Sequence, residues 1–174
     1  MGVTLKDEKI LQSWNTMIED GQGKGAFIFD ETKRLLEEFQ PPDVMWKITE
    51  VAPGTFSGLF GKKRDYLMIT NEALRDYKVY IGARDYGNVL DVSWYLAAEP
   101  GFFKKRLLGA LAGMGADRMA ASVVALDLFA QQDLHAYVSV VHSCVLKAVD
   151  LLMKELGQDF SKINRQSKGF LEVW

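Results

Sequence analysis

The sequence has little cysteine, histidine or proline and almost no net charge. Its 174 residues include one cysteine, two histidines and four prolines, and 21 basic side chains nearly balance 23 acidic ones. A single cysteine, Cys144, excludes an internal disulfide, which fits a reducing, cytoplasmic compartment. A nucleic-acid-binding protein would normally carry a basic excess. The sequence therefore predicts neither a disulfide framework nor a nucleic-acid partner.

The sequence also predicts neither a signal peptide nor a membrane-spanning segment. Four charged side chains lie among the first eleven residues, so no apolar stretch follows a basic start and we expect no signal peptide. The most apolar region, Leu107 to Ala130, is interrupted by Asp117, Arg118 and Asp127, and spanning a bilayer takes about 20 apolar residues. With 48% hydrophobic and 25% charged residues, the composition is that of a globular protein, and the length suits a single domain.

The N-terminal segment, residues 1–40, is predicted to be helical. Apolar residues between Leu5 and Asp20 recur at the helical period, so we expect an amphipathic helix there. The glycine-rich stretch that follows is expected to connect this helix to a second one over Glu31–Gln40. Asp30 would cap the second helix, and a pair of prolines after Gln40 would end it.

In the middle segment, residues 44–97, the pattern switches to period two. Alternating apolar side chains predict strands in four stretches, at 44–49, 66–70, 77–82 and 90–96. Asp85-Tyr86-Gly87-Asn88 is typical of a hairpin connection. Because such short connections cannot hold crossover helices, the strands are expected to pair antiparallel.

The C-terminal segment, residues 102–156, is again predicted to be helical. One helix is expected to bury Phe103 and its neighbours at helical spacing, and a longer one to run from Asp133 to Leu156 and end at Gly157. Residues 170–174 could form a last short strand or a docked tail. The fold class is therefore α+β, with the long helix expected to lie across the sheet face that carries Trp46 and Trp94.

Two segments, residues 58–64 and 101–106, each place large apolar side chains beside three consecutive cations. Together they are the candidate binding surface. Such a combination suits an anionic membrane surface, where aromatic rings lie at the headgroups and cations face the lipid charge. The alternatives are a core helix with a solvated cationic side for the second segment, and an ordinary hairpin loop for the first. The candidate binding residues are Phe60, Lys62, Lys63, Arg64, Phe102, Phe103, Lys104, Lys105 and Arg106.

The two histidines are the candidates for acid–base catalysis. His135 and His142 share one face of the long helix but are roughly 10.5 Å apart along its axis, too far to bind one metal ion together. Either could act with Tyr80, Tyr95 or Asp91 on the sheet. The alternative is that both are ordinary polar-face or half-buried side chains.

Two further motifs favour structural interpretations. Gly21-Gln22-Gly23-Lys24-Gly25 lacks the spacing and the Ser or Thr of a phosphate-binding loop. Cys144 lies within a helix, next to its buried stripe, where a free cysteine usually behaves as a small hydrophobic residue.

Taken together, these patterns favour a non-enzymatic binding module for a small apolar ligand, a protein partner or an anionic membrane surface. One alternative is an enzyme that uses His135 or His142 between the sheet and the long helix. Another is a structural subunit that forms a homodimer through Leu107 to Ala130. No pattern indicates a metal or a cofactor.

Overall fold

The computed structural model describes residues 3–4, 9–52, 64–98, 127–169 and 171. Within these residues one sheet contains strands β1 (Val3–Thr4), β2 (Lys9–Ile18), β3 (Val44–Ala52), β4 (Arg64–Asn71), β5 (Tyr77–Tyr86), β6 (Val89–Ala98) and β7 (Lys168–Gly169). Two helices, α1 (Gly25–Phe39) and α2 (Leu128–Glu155), and a short 3₁₀ turn at Phe160–Lys162 complete the described elements.

The strand order across the sheet is β1-β3-β4-β5-β6-β2-β7. All neighbouring strands pair antiparallel except β1, which runs parallel to β3. Strands β3 to β6 form a meander, so the predicted α+β class with an antiparallel sheet is confirmed. After β2 the chain passes through α1 and enters the meander at β3, four strands away from β2.

Alternation along β6 divides the sheet into two faces. Leu90, Val92, Trp94 and Leu96 are fully buried on the side of the two helices, which we call the helix face. Asp91, Ser93, Tyr95 and Ala97 point to the opposite side, which we call the second face. The hairpin to β5 is a two-residue turn at Gly87 and Asn88, where Gly87 has a φ of 65° that favours glycine.

Helix α2 packs on the helix face, as the sequence predicted. The Tyr137 hydroxyl donates a hydrogen bond to the Ile69 carbonyl of β4 over 2.8 Å. The helix begins five residues earlier than expected, because the Asp127 side chain caps it by accepting from the Ala130 N–H at 2.8 Å. The expected buried stripe is confirmed at Leu134, Tyr137, Val138, Val141, Val145, Ala148 and Leu152.

Helix α2 is also long and apolar enough to cross a membrane by length and composition alone, with a mean hydropathy of 1.5 over its most apolar 18 residues. In the folded chain 61% of that stretch is buried inside the protein. The core helix of a globular domain satisfies the same criterion, and α2 contributes a large share of this core.

The predicted first helix, Leu5–Asp20, is wrong: residues Lys9–Ile18 form strand β2. A register shift against β6 between Ile10 and Gln12 places a bulge at Leu11. The bulge breaks the period of two, and the polar Gln12 takes a buried position on the core side. The apolar residues consequently fall at helix-like spacing, although Ile10 and Met17 are 47% and 62% exposed.

The second predicted helix is confirmed as α1, but it begins six residues before Glu31. Asp30 therefore lies inside the helix and forms an ion pair with Lys33 at 2.7 Å instead of capping it. The helix ends as expected, with Gln40 in the left-handed conformation followed by the two prolines. The expected helix containing Phe103 and nearly all of the expected tail at 170–174 lie outside the described residues.

Candidate functional site at a fork in the sheet

Strands β4 and β5 pair over only part of their lengths. Their register runs from Thr70 opposite Lys78 to Leu67 opposite Ile81 and ends there. Beyond that point residues 64–66 of β4 pair with β3, and residues 82–86 of β5 pair with β6. The sheet is thus split between the start of β4 and the end of β5, and we call this split the fork.

A cavity of about 670 Å³ lies at the fork. Because the sheet is open there, both faces contribute to the lining. Residues of the second face that line it are Arg64, Tyr66, Gly82, Arg84, Asp91, Ser93 and Tyr95. From the helix side the lining includes Ala26, Phe29 and Lys33 of α1 together with Ile48 and Ala83 of the sheet.

Tyr66 and Gly82 form the narrowest part of the fork. A Cβ atom built on Gly82 would lie 2.9 Å from Cε1 of Tyr66 and 3.4 Å from Oγ of Ser93. Glycine inside a strand often marks such a close approach, since any side chain would displace its neighbour. The Tyr66 ring therefore leans across the fork onto the backbone of β5.

Two arginines and two tyrosines surround this contact. Burial raises the pKa of the Tyr66 hydroxyl and the neighbouring Tyr95 adds to the rise, whereas the guanidinium groups of Arg64 and Arg84 act in the opposite direction. Tyr66 is therefore a protonated hydrogen-bond donor at neutral pH. The ring of Tyr66 also meets the buried Tyr80 edge to face, with centroids 6.5 Å apart.

The Ser93 hydroxyl is the most enclosed polar group of the cavity. Only 6% of Ser93 is exposed, yet its Oγ is not one of the described polar atoms that are fully enclosed without a hydrogen-bond partner. The hydroxyl therefore remains accessible, and water or a molecule bound in the cavity can hydrogen-bond to it.

On the helix side, most of the charged groups already have partners. Lys33 is paired with Asp30, and Asp85 accepts from the backbone N–H of Gly23 at 3.0 Å. Phe29 and Ile48 give this side an apolar surface. The two sides of the cavity consequently differ: the second face supplies hydroxyl groups, two guanidinium groups and Asp91, and the helix side combines apolar side chains with Lys33 and three carboxylates.

A second groove, of about 540 Å³, lies at the end of α2. Its cations are engaged in local contacts: Lys147 Nζ lies 4.4 Å from the Phe39 ring centroid, and the Arg165 guanidinium lies 4.7 Å from that of Phe160.

One residue of the predicted apolar-cationic segments reaches the fork cavity. Arg64 is the first residue of β4 and lines the cavity, and Tyr95 and Asp91, considered as partners for a histidine, line it too. The other members of the two segments, which are Phe60, Lys62, Lys63, Phe102, Phe103, Lys104, Lys105 and Arg106, lie outside the described residues.

His142 lies in the core on the helix face. It is completely buried, and its Nδ1 accepts a hydrogen bond of 2.9 Å from the indole N–H of Trp94. Its Nε2 lies 2.6 Å from the Arg165 carbonyl oxygen, which fixes the proton on Nε2. Burial lowers the pKa of His142, so the ring is neutral. Both of its nitrogens are thus used in holding α2, the sheet and the C-terminal chain together.

The structure does not bring His142 together with its expected sheet partners. Tyr80, Tyr95 and Asp91 share the alternation of the second face, whereas His142 contacts Trp94 on the helix face. His135 lies on the exposed side of α2, with Nδ1 3.4 Å from the Ser139 hydroxyl. Neither histidine lines the fork cavity.

The remaining sequence motifs have structural roles. Burial raises the pKa of the Cys144 thiol to about 12, so the thiolate is not populated near neutral pH. The glycine-rich segment follows strand β2 rather than a helix, and Lys24 forms an ion pair with Glu155 at 2.7 Å. Within the described residues, no three His, Cys, Asp or Glu side chains meet in a way that could hold a metal ion.

No family model, curated protein or solved structure matches the chain at a significant level. Sequence reasoning missed Tyr66, Gly82, Arg84 and Ser93, because their proximity depends on the register in which β4, β5 and β6 pair. The available signal was Gly82, an interior strand glycine beside polar residues that alternate toward one face.

Proposed function

We propose that this protein is a binding module for a small organic molecule, which it holds in the fork cavity. The observation that supports this most strongly is the split of the sheet between β4 and β5. A space of about 670 Å³ lies at this split, bordered by the sheet and by α1. Small-molecule sites typically measure about 300–1,000 Å³ and combine apolar walls with a few polar groups.

The lining favours binding over catalysis. Its polar groups on the second face are hydroxyls, guanidinium groups and the Asp91 carboxylate, while both histidines and Cys144 lie elsewhere. Hydroxyl and guanidinium groups orient a ligand through hydrogen bonds without needing to change their protonation state. Of the binding modes expected from the sequence, a small ligand agrees best with this geometry, although the cavity is more polar than a purely apolar ligand requires.

A titration with naphthalene derivatives tests the proposal. The full chain, labelled with ¹⁵N, is titrated with 2-naphthol, 2-naphthamide and 2-naphthoate while backbone amide shifts are recorded. We expect at least one probe to shift the amides of Gly82 and Ser93, with a dissociation constant on the order of 1 mM for a probe of this size.

Two matched variants locate the site. Ala26 is exposed on α1 and lines the cavity, whereas Ala136 is exposed on α2 and lines neither cavity. Ala26→Phe should weaken binding about tenfold or more by filling space in the cavity, and Ala136→Phe should leave it unchanged. If no probe shifts the fork amides, or if both variants bind as tightly as the parent chain, the proposal is wrong.

A further inference from the structure

We infer that the second-face half of the fork cavity recognises an anionic oxygen group, a carboxylate or a phosphate, on the molecule that the protein binds. This inference rests on the proposed function and specifies its ligand. The groups that would make the contact are Ser93, Tyr66, Tyr95, Arg64 and Arg84, all of which line the cavity from the same side of the sheet.

Ser93 is the most buried polar side chain of the lining, with 6% of the residue exposed. Its Oγ is not one of the described polar atoms that are fully enclosed without a hydrogen-bond partner, so the hydroxyl remains accessible to a ligand. Its Oγ would be 3.4 Å from a Cβ on Gly82, so the hydroxyl lies at the narrow part of the fork beside Tyr66. An anionic oxygen at this point would accept a hydrogen bond from the Ser93 hydroxyl.

The two arginines have free capacity for an anion. Arg84 lies 3.5 Å from the nearest Asp91 oxygen, longer than the roughly 2.7–2.9 Å of a strong charge-assisted hydrogen bond, and 42% of its side chain is exposed. Arg64 is exposed, and its side-chain hydrogen bond to Tyr66 uses only part of the five N–H donors of a guanidinium group. A guanidinium group offers paired N–H donors that match the two oxygens of a carboxylate or the edge of a phosphate.

The hydroxyls of Tyr66 and Tyr95 add two further donors. Both side chains line the cavity, and Tyr95 and the two arginines are close enough to Tyr66 to act on its pKa. On this side of the sheet two guanidinium groups face one carboxylate, Asp91, whereas Asp30, Asp65 and Asp85 line the opposite side. The charge distribution thus places an anionic group at the second face, with the apolar part of the ligand toward Phe29 and Ile48.

The test compares three probes that share one ring system. Binding of 2-naphthoate, 2-naphthyl phosphate and the neutral 2-naphthamide to the full chain is measured by amide shifts. We expect at least one anion to bind about tenfold more tightly than the amide, and raised salt to reduce that advantage. Of the two anions, the tighter one identifies the group that the cavity prefers.

Matched variants separate recognition from nonspecific charge attraction. Arg84→Gln and Ser93→Ala should each remove most of the preference for the anion while 2-naphthamide still binds. Arg75 is exposed in the β4–β5 turn, where its Nε donates to the Glu72 carbonyl, so Arg75→Gln is the control and should change nothing.

The outcomes distinguish this inference from the proposed function. If the amide binds in the fork as tightly as both anions, the anion inference is wrong and the small-molecule proposal stands. If Arg75→Gln weakens the anions as much as Arg84→Gln does, the preference reflects net charge and the inference is again wrong. If none of the three probes shifts the fork amides, both are wrong.

Discussion

Tyr66 and Gly82 are in contact, although no backbone ladder joins their strands at this point. The Tyr66 ring occupies the space that a side chain on residue 82 would fill, with Cε1 2.9 Å from the position of a Cβ. The ladder between β4 and β5 ends one residue earlier, at Leu67 and Ile81. The Tyr66 ring thus packs on β5 one residue past the end of the ladder, beside the cavity.

The first prediction concerns this contact. Gly82→Ala should lower the free energy of unfolding by about 1–3 kcal/mol, because the added methyl group has to displace the Tyr66 ring. Urea unfolding of the variant and the parent chain measures the change. In a Tyr66→Ala background the same substitution should cost much less, since the ring is gone. If Gly82→Ala lowers the free energy of unfolding equally in both backgrounds, the Tyr66 ring is not what resists a side chain at residue 82.

The second prediction is a dependence of stability on pH that originates at His142. Burial lowers the pKa of this ring in the folded chain below its ordinary value of 6.5, with the Arg165 carbonyl acting in the opposite direction. The unfolded chain consequently binds the proton more readily. This contribution to stability is fully present above about pH 6.5 and decreases as the pH falls toward the folded-state pKa.

Unfolding free energies measured from about pH 8 down to about pH 5 test this prediction, because most carboxylates titrate below that range. His142→Phe should be less stable at every pH, since it leaves the Trp94 N–H without its acceptor, and should lose most of the slope. His135→Asn changes an exposed ring on the same helix and should keep the slope. The prediction fails if His135→Asn removes the slope and His142→Phe does not.

The third prediction concerns the chain that follows α2. The buried Gln12 donates to the Ser167 hydroxyl at 2.5 Å and accepts from the Leu171 N–H at 2.6 Å, and the Trp14 indole donates to the Asn164 carbonyl at 2.7 Å. Gln12→Ala should therefore loosen residues 164–171 and cost about 1–3 kcal/mol. Hydrogen exchange read by mass spectrometry should show faster exchange there.

Gln22→Ala is the matched control for this variant, because Gln22 is exposed in the loop before α1. Its exchange should equal that of the parent chain over residues 164–171. Unchanged protection of that segment in Gln12→Ala would mean that Gln12 does not fasten it.

The fourth prediction uses the single thiol as a reporter. Cys144 is fully buried, and burial raises its pKa to about 12. A thiol reagent such as 5,5′-dithiobis(2-nitrobenzoic acid) should react with the folded chain only as fast as the core opens, and quickly in denaturant. Rapid reaction of the native chain near neutral pH would contradict the position of α2 on the sheet.

The meander and α2 could be predicted because each follows one period throughout its length. The alternation of Leu90, Val92, Trp94 and Leu96 identifies β6, and the stripe from Leu134 to Leu152 identifies α2. Strand β2 could not be predicted, because a bulge at Leu11 and a buried Gln12 disturb the alternation of apolar and polar side chains. Gln12 is tolerated in the core because the distant chain around Ser167 satisfies it, and no local pattern records that contact.

The fork could not be predicted because it is a property of pairing and not of any one strand. Tyr66 and Ser93 are 27 positions apart in the sequence, and both lie next to Gly82 because β5 lies between β4 and β6 in the sheet. The pattern of charges identified Arg64 as a candidate binding residue, but it did not predict the cavity that Arg64 lines. The histidines were the most conspicuous candidates by residue type, yet the structure uses His142 to join two tryptophans and a backbone carbonyl.

A crystal structure of the full chain grown with 2-naphthoate tests the central claim most directly. The account predicts a naphthyl ring between β4 and β5 at the fork, with its carboxylate within hydrogen-bonding distance of Ser93 Oγ and of at least one of Arg64 and Arg84. A ladder that continues past Leu67 and Ile81 to close the fork, or a probe bound only elsewhere on the protein, would contradict it.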